Sequence, residues 1–249
     1  MSEVKINPEG RVALVSGGNR GIGKAIVVEL LERGASKVYA GARNPDTLTV
    51  LKEKYGDRLV PLKLDVTDTS SVAEAVKVAN DVEILINNAG ILSAGGLLAE
   101  DAAENLVNDL SVNVYGLLNV TNTFIDVLRS KDSAAIVNVS SLAGLANMPV
   151  IGTYSVTKAA VHSMTQGYRA ELAQTNVLVS GVYPGAIDTD MTKGMEMGKD
   201  TPENVAKAVV DGLIAGSEDI YPDAMSEQLG TGYESSPKAI EKEFANYVG

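Results

Sequence analysis

Short apolar runs that alternate with longer stretches of helical periodicity predict an α/β protein built on a doubly wound parallel sheet. Three observations carry that expectation. Seven apolar runs are separated by segments whose apolar residues recur every three or four positions. The runs end in glycine, asparagine, serine or Pro-Gly clusters, at the strand ends where such sheets bind ligands. No repeat, low-complexity tract or linker divides the 249 residues, so one domain over 1–249 is the simplest organisation.

The first run, Arg11 to Ser16, leads into Gly17-Gly-Asn19-Arg20-Gly21-Ile22-Gly23, after which Ile22, Ala25, Ile26, Leu30 and Leu31 fall on one helical face. Strand, glycine turn and helix bring backbone amides to a phosphate at a helix start. The spacing, G-x-x-x-G-x-G, is related to the commoner dinucleotide fingerprint without matching it. The second strand, Lys37 to Gly41, ends in Ala42-Arg43-Asn44. An acid there would take a ribose 2′-hydroxyl, whereas an arginine suits a 2′-phosphate, and Arg20 supplies a second guanidinium.

Leu59 to Leu64 reads as a third strand running into Asp65-Val66, and Pro61 suggests a sheet edge. Thr67-Asp68 caps a helix through about Ala79. Ile84 to Ile86 is a buried strand ending in Asn87-Asn88-Ala89-Gly90, a clamp suited to close approach of a flat ligand. A long helix is expected from about Glu100 to Ser130. Asn113 and Gly116 conflict with its interior, as functional positions often do. Ala135 to Val139 delivers Ser140-Ser141, and a helix from Tyr154 to Gln174 follows. Val177 to Tyr183 stops at Pro184-Gly185; a helix from Pro202 to Gly216 and a strand at Ile220 complete seven strands with helices on both faces.

Tyr154 and Lys158 lie four apart and therefore on one helical face. A cation near a phenol favours the phenolate, so the pair is expected to lower the Tyr154 pKa and make it a general acid or base. Composition removes competing chemistries. With no cysteine and one histidine, His162, no thiolate or histidine metal cluster can form, so no metal is expected. His162 is assigned a structural role. A formal charge of −11 repels nucleic acid and anionic lipid, so any phosphate must meet local amides or a few placed arginines. No apolar run approaches a membrane span, and Met1 to Gly10 lacks a basic region followed by an apolar core; the expected location is cytoplasmic.

With Ser16 to Gly23, Asn87 to Gly90, Asn113, Ser141, Tyr154-x-x-x-Lys158 and Pro184-Gly185 in order, the chain resembles the short-chain dehydrogenase/reductase family in its compact single-domain branch. The resemblance covers roughly Arg11 to Tyr221. It implies a Rossmann domain in which residues 11–110 mainly bind the dinucleotide, 111–221 carry the catalytic and substrate part, and 222–249 form a tail. It implies that Tyr154 protonates a substrate carbonyl, Lys158 bonds the nicotinamide ribose, Ser141 hydrogen-bonds the carbonyl oxygen and Asn113 holds a relay water. Gly17, Gly21 and Gly23 would wrap the pyrophosphate, Ser16, Asn19 and Ile22 would be further cofactor contacts, Asp65 and Val66 would flank adenine, and Asn88, Ala89 and Gly90 would line the adenosine side. Pro184, Gly185, Ile187 and Thr189 resemble a nicotinamide clamp. Ser16 stands where the family most often has threonine.

Arg20 and Arg43 favour NADP(H) over NAD(H). The function implied is NADPH-dependent reduction of small or medium apolar ketones and aldehydes, reversible as an alcohol dehydrogenase. A reductase of carrier-bound 3-oxoacyl thioesters and a non-catalytic NADPH sensor are the alternatives; the acidic balance disfavours an acidic carrier, and a sensor would be expected to have lost part of its catalytic set. Met191, Met195 and Met197, in the short segment 190–200, could cover an apolar substrate. Ala143, Leu145, Met148, Ile151 and Tyr183 are candidate pocket walls. A homo-oligomer, tetramer or dimer, is implied through the helices bearing Asn113 and Tyr154. The polar tail from Tyr221 onward is assigned to packing on a neighbouring subunit.

Overall fold

The computed structural model describes residues 4–247; residues 1–3 and 248–249, included in the single-domain expectation, lie outside them. Seven strands form one sheet: β1 (Val12–Ser16), β2 (Lys37–Ala42), β3 (Leu59–Lys63), β4 (Ile84–Asn87), β5 (Ala134–Val139), β6 (Val177–Val182) and β7 (Asp219–Ile220). Their order is β3-β2-β1-β4-β5-β6-β7, and every pairing is parallel. Parallel neighbours need crossovers, and helices supply them. The order reverses between β1 and β4, which opens a crevice beyond their carboxyl ends. Pro61 lies on the edge strand β3, where a missing N–H costs no ladder bond on the open side.

Alternate strand residues feed two cores. Ala13, Val15, Val38, Ala40, Ile84 and Ile86 pack with Ile26 and Leu30 of α1 (Gly21–Glu32) and with Val209 and Leu213 of the helix that precedes β7. Leu14, Tyr39, Leu85 and Ile136 face the opposite layer, where Val72 of the helix between β3 and β4 and Phe124 and Leu128 of the helix before β5 cover them. Because the sheet is covered on both faces, successive strand residues are buried whichever way they point, hence the near-continuous apolar runs in the sequence.

Between β2 and β3 lies a short helix that periodicity did not reveal, α2 (Thr49–Tyr55); it has no buried residue, which is why no pattern marked it. α3 (Thr69–Val78) starts on Asp68, whose carboxyl accepts the Ser70 amide. The expected 100–130 helix is interrupted. α4 (Ala102–Leu110) passes through a π turn at Ser111–Gly116 into α5 (Leu117–Arg129). Asn113 and Gly116 both fall in that turn, and a Cβ on Gly116 would lie 2.6 Å from the Val66 side chain. The helix bearing Tyr154, α6, runs Gly152–Glu171, and α7 runs Pro202–Ala215.

The tail, for which no elements were expected, is helical. It forms α8 (Ala224–Ser235) and α9 (Pro237–Phe244), and it packs on its own chain. Leu229, Ile240 and Phe244 close over Leu142 in the loop after β5. Among the described residues no helix is long and apolar enough to cross a membrane.

Candidate active site

The strand ends open into one cavity of about 750 Å³. At one end lies the turn from β1 into α1. Gly17 and Gly21 adopt φ of +66° and +50°, a region that disfavours side chains, and a Cβ on Gly23 would sit 2.3 Å from the Gly17 carbonyl oxygen. Only glycine closes this turn. Arg20, the residue at the cap position of α1, gives the first turn no side-chain hydrogen bond, so its amides are left for an anion. Gly17, Asn19, Arg20, Gly21, Ile22 and Gly23 all reach the cavity.

Ser16 does not. It is 2% exposed; its hydroxyl accepts the amides of Asn88 (3.0 Å) and Ala89 (3.1 Å) and donates to the Ile86 carbonyl (3.3 Å). The expected cofactor contact is instead a pin between β1 and β4. Asn88 completes the pin, donating from Nδ2 to the carbonyls of Ser16 (3.0 Å) and Gly17 (3.2 Å). Asn88, Ala89 and Gly90 line the cavity beside it, as do Arg43, Asp65 and Val66 from the ends of β2 and β3. The Asp65 carboxyl accepts the amide (3.0 Å) and hydroxyl (2.7 Å) of Thr67, which fixes its turn. Arg20 and Arg43 are both exposed and, among the described residues, neither enters an ion pair. Two free guanidiniums on one cavity rim, beside uncapped amides, suit a dinucleotide with an additional phosphate.

Ser141, Tyr154 and Lys158 come together at the other end, with Pro184, Gly185 and Ile187 on the adjoining wall, which runs back to Thr189 beside Gly21 of the glycine turn. Tyr154 is 8% exposed. Lys158 Nζ lies 5.5 Å from the Tyr154 ring centroid and donates to the Val139 carbonyl at 2.8 Å. Burial pushes the Tyr154 phenol above its ordinary range; the nearby Ser141 hydroxyl works the other way, and the Asp109 carboxylate adds to the rise. Burial also pushes the Lys158 ammonium down, to about 8. The expectation that the lysine brings the phenol toward neutrality is therefore not met in this structure: desolvation opposes the charged form of both groups.

Asn113 is 2% exposed and off the cavity surface. Its Oδ1 accepts the Ile91 amide (2.8 Å), and Nδ2 donates to the Ile91 carbonyl and to Thr157 Oγ1, both at 2.9 Å. Both side-chain N–H groups are thus committed within the chain, and the residue sits inside the π turn, fixing the loop after β4 to α6.

Met148, Ile151 and Ala143 line the reactive end, as do Met191, Met195 and Met197. Two expected walls do not. Leu145 packs with the C-terminal cluster, and Tyr183 is buried, its hydroxyl 2.8 Å from His162 Nδ1 and 3.3 Å from Asp219. That bond places His162 in a structural network joining α6 to the end of β6.

Three contributors escaped the sequence reading. Asp109, fully buried on α4, accepts Ser93 N and Oγ (3.2 and 2.9 Å) and Thr153 Oγ1 (3.0 Å), tying the loop after β4 to the residue before Tyr154. Met225 and Phe244 reach the cavity from the tail. The spacing of Ile240 and Phe244 on one helical face was the available signal for the last.

Comparison with known proteins agrees with this geometry. A family model described as short chain dehydrogenase matches residues 11–200. An oxidoreductase of Staphylococcus epidermidis is 33% identical over 210 residues, covering 82% of this chain and 90% of that protein. A short chain dehydrogenase from Burkholderia cenocepacia, solved in complex with NADP, is 36% identical with a TM-score of 0.89, covering 96% of this chain and 99% of its own. A Burkholderia phymatum structure in complex with NAD is similar in fold at 23% identity, with a TM-score of 0.79 over 86% of this chain and 89% of its own. The chain belongs to the short-chain dehydrogenase family and is an oxidoreductase of it.

Proposed function

We propose that this dehydrogenase uses NADP(H) in preference to NAD(H) and reduces neutral ketones or aldehydes to alcohols, reversibly, with Tyr154 as proton donor. The observation that carries the reading is the pairing of two ends of one cavity: Arg20 and Arg43 without ion pairs at one, Tyr154 and Ser141 converging at the other. The relative from Burkholderia cenocepacia, solved with NADP, supports the cofactor. The glycine turn would hold the pyrophosphate, Asp65, Val66 and Asn88 to Gly90 the adenosine side, and Pro184 to Thr189 the nicotinamide. Residues 11–110 would thus serve mainly the dinucleotide and 111–221 the reaction, within one domain.

Bound NADPH supplies a hydride to the carbonyl carbon. The protein's work is at the carbonyl oxygen. Hydroxyls of Tyr154 and Ser141, aimed at that oxygen, stabilise its growing negative charge more than the neutral ground state. Tyr154 then gives its proton to the oxygen. Burial that raises the phenol pKa keeps that proton in place at neutral pH. Transfer is still downhill, because an alkoxide is a stronger base than a phenolate. Lys158, charged below about 8, would bond the nicotinamide ribose and stand near the phenolate left behind; Asn113 would hold the water that returns a proton.

The test is oxidation of NADPH and of NADH against ketones, aldehydes and a 3-oxoacyl thioester, with Tyr154→Phe as control. Turnover with NADPH well above NADH is expected, lowered about 10²–10⁴-fold in the variant. Preference for the thioester would replace the substrate reading, and preference for NADH the cofactor reading. A homo-oligomer through α4, α5 and α6 is part of the proposal; light scattering at the monomer mass of 26.0 kDa would remove it.

A further inference from the structure

The chain has seven methionines and two phenylalanines. Five of the methionines, Met148, Met191, Met195, Met197 and Met225, line the cavity, and so does Phe244. They come from three separate segments: the loop after β5, the segment after β6, and the C-terminal helices. The last of these is built in firmly.

Asp223, 8% exposed, caps α8 through the Ser226 amide (2.9 Å) and accepts the Gly185 amide at 2.8 Å with its other oxygen. A Cβ on Gly185 would stand 2.9 Å from Asp223 Oδ1 and 3.1 Å from Met225 Sδ, so the start of α8 lies directly against the Pro184-Gly185 wall. At the other end, the Tyr247 carbonyl accepts the Val150 amide at 3.2 Å, two residues from Met148. Between those ties Phe244 is fully buried against Leu142. Met148 packs against both the Phe244 cluster and the Ala143, Ile151 and Tyr154 cluster, which joins the C-terminal wall to the reacting phenol.

The charge pattern is equally one-sided. The cavity's ionic side chains are Arg20, Arg43, Asp65, Lys158 and Asp190. None comes from segments 141–151 or 222–247, whose lining side chains are Ser141 and apolar groups. A carboxylate or ammonium on the substrate would have no partner against this wall and would lose its hydration. Thioethers are polarisable and flexible; they conform to apolar shapes of differing outline and make favourable contacts with aromatic rings.

We infer that the C-terminal helix pair, hung on Asp223, faced by Met225 with Met148 and backed by the buried Phe244, is the specificity-determining wall of the reaction chamber, and that it selects uncharged carbonyl compounds bearing a bulky apolar or aromatic substituent. The inference rests on the carbonyl-reductase reading and narrows its substrate. The tail thus contributes to the chamber of its own chain.

The test uses three methyl ketones that share one reacting end: acetone, benzylacetone, and the anion levulinate. On the full-length protein with NADPH, kcat/KM should be highest for benzylacetone, at least tenfold above acetone, with levulinate the poorest. In Phe244→Ala and Met225→Ala the ratio of benzylacetone to acetone should fall about tenfold, and Phe244→Leu should restore most of it. A ratio between two substrates does not depend on how much enzyme is folded, so undocking of α9 in Phe244→Ala still reads as loss of the wall. An unchanged ratio in both alanine variants, or levulinate as the best substrate, overturns the inference. If the wild-type protein turns over none of the three, the reductase reading fails, and the wall is judged by thermal shift: benzylacetone should raise the melting temperature of wild type more than that of Phe244→Ala, and equal shifts overturn it.

Discussion

The two ends of the cavity are made in different ways. The end formed by β1, β2 and β4 is a backbone construction: glycines that allow a tight turn, uncapped amides, and Ser16 and Asn88 stitching one strand end to the next within a few ångströms. The other end is a side-chain construction, in which Ser141, Tyr154, Met195 and Phe244 come from four segments spread over a hundred residues. Backbone constructions write themselves into contiguous motifs, because adjacent residues must supply them. Side-chain constructions leave no such trace.

The largest expected effect tests the backbone end. If the amides alone held the cofactor, the two rim arginines would matter little. If they bind a further phosphate, Arg20→Ala with Arg43→Ala should collapse the NADPH-over-NADH preference by 10² or more, since each charge-assisted contact is worth about 1.5–3 kcal/mol and each 1.4 kcal/mol is tenfold. The ratio of kcat/KM for the two cofactors is the readout; a preference that survives the double substitution would leave the amides as the whole site.

That difference in construction decides what was legible. The parallel sheet, its order of elements, the glycine turn and the Asn88 to Gly90 loop could be read because each is set by local pattern. Ser16 misled because a hydroxyl next to a glycine turn looks the same whether it faces a ligand or a neighbouring strand; the distinction depends on β4, seventy residues away. Asp109 was invisible because its partners, Ser93 and Thr153, lie 16 and 44 residues off. The C-terminal helices were passed over because α8 and α9 bury few residues, Leu229, Ile240 and Phe244 among them, in an otherwise polar stretch. The π turn at Asn113 and Gly116 is an intermediate case: the sequence marked a conflict there, and Val66 supplies its cause.

A second prediction concerns the cost of burying charge at the side-chain end. Lys158 titrates at about 8 in the fold against an ordinary 10.5. Between these values the unfolded chain binds more protons, so stability rises with pH. Below about 8 both states are charged and the burial penalty is carried in full. Above about 10 the buried tyrosines, Tyr154 among them, begin to oppose the rise, because unfolded phenols ionise there first. Denaturant unfolding at pH 8 and pH 10 should therefore show wild type gaining about 2–3 kcal/mol relative to Lys158→Met, at about 1.4 kcal/mol per pH unit. Parallel profiles would mean that solvent reaches the ammonium.

The smallest expected effect separates positioning from electrostatics beside Tyr154. Asp109 holds Ser93 and Thr153, and its negative charge raises the Tyr154 pKa. Asp109→Asn keeps both tasks apart, because an amide oxygen can still accept from Ser93 while its NH₂ donates to Thr153 Oγ1. Removing the charge lowers the pKa of Tyr154, so the rising limb of the pH profile for alcohol oxidation, which needs the phenolate, should move to lower pH. Asp109→Ala should show the same shift together with a lower kcat, since it also releases the residue that precedes Tyr154. A lower kcat in both variants with an unmoved limb would make Asp109 a tether only, and the pKa of the Tyr154 phenol would then be set by burial and by Ser141.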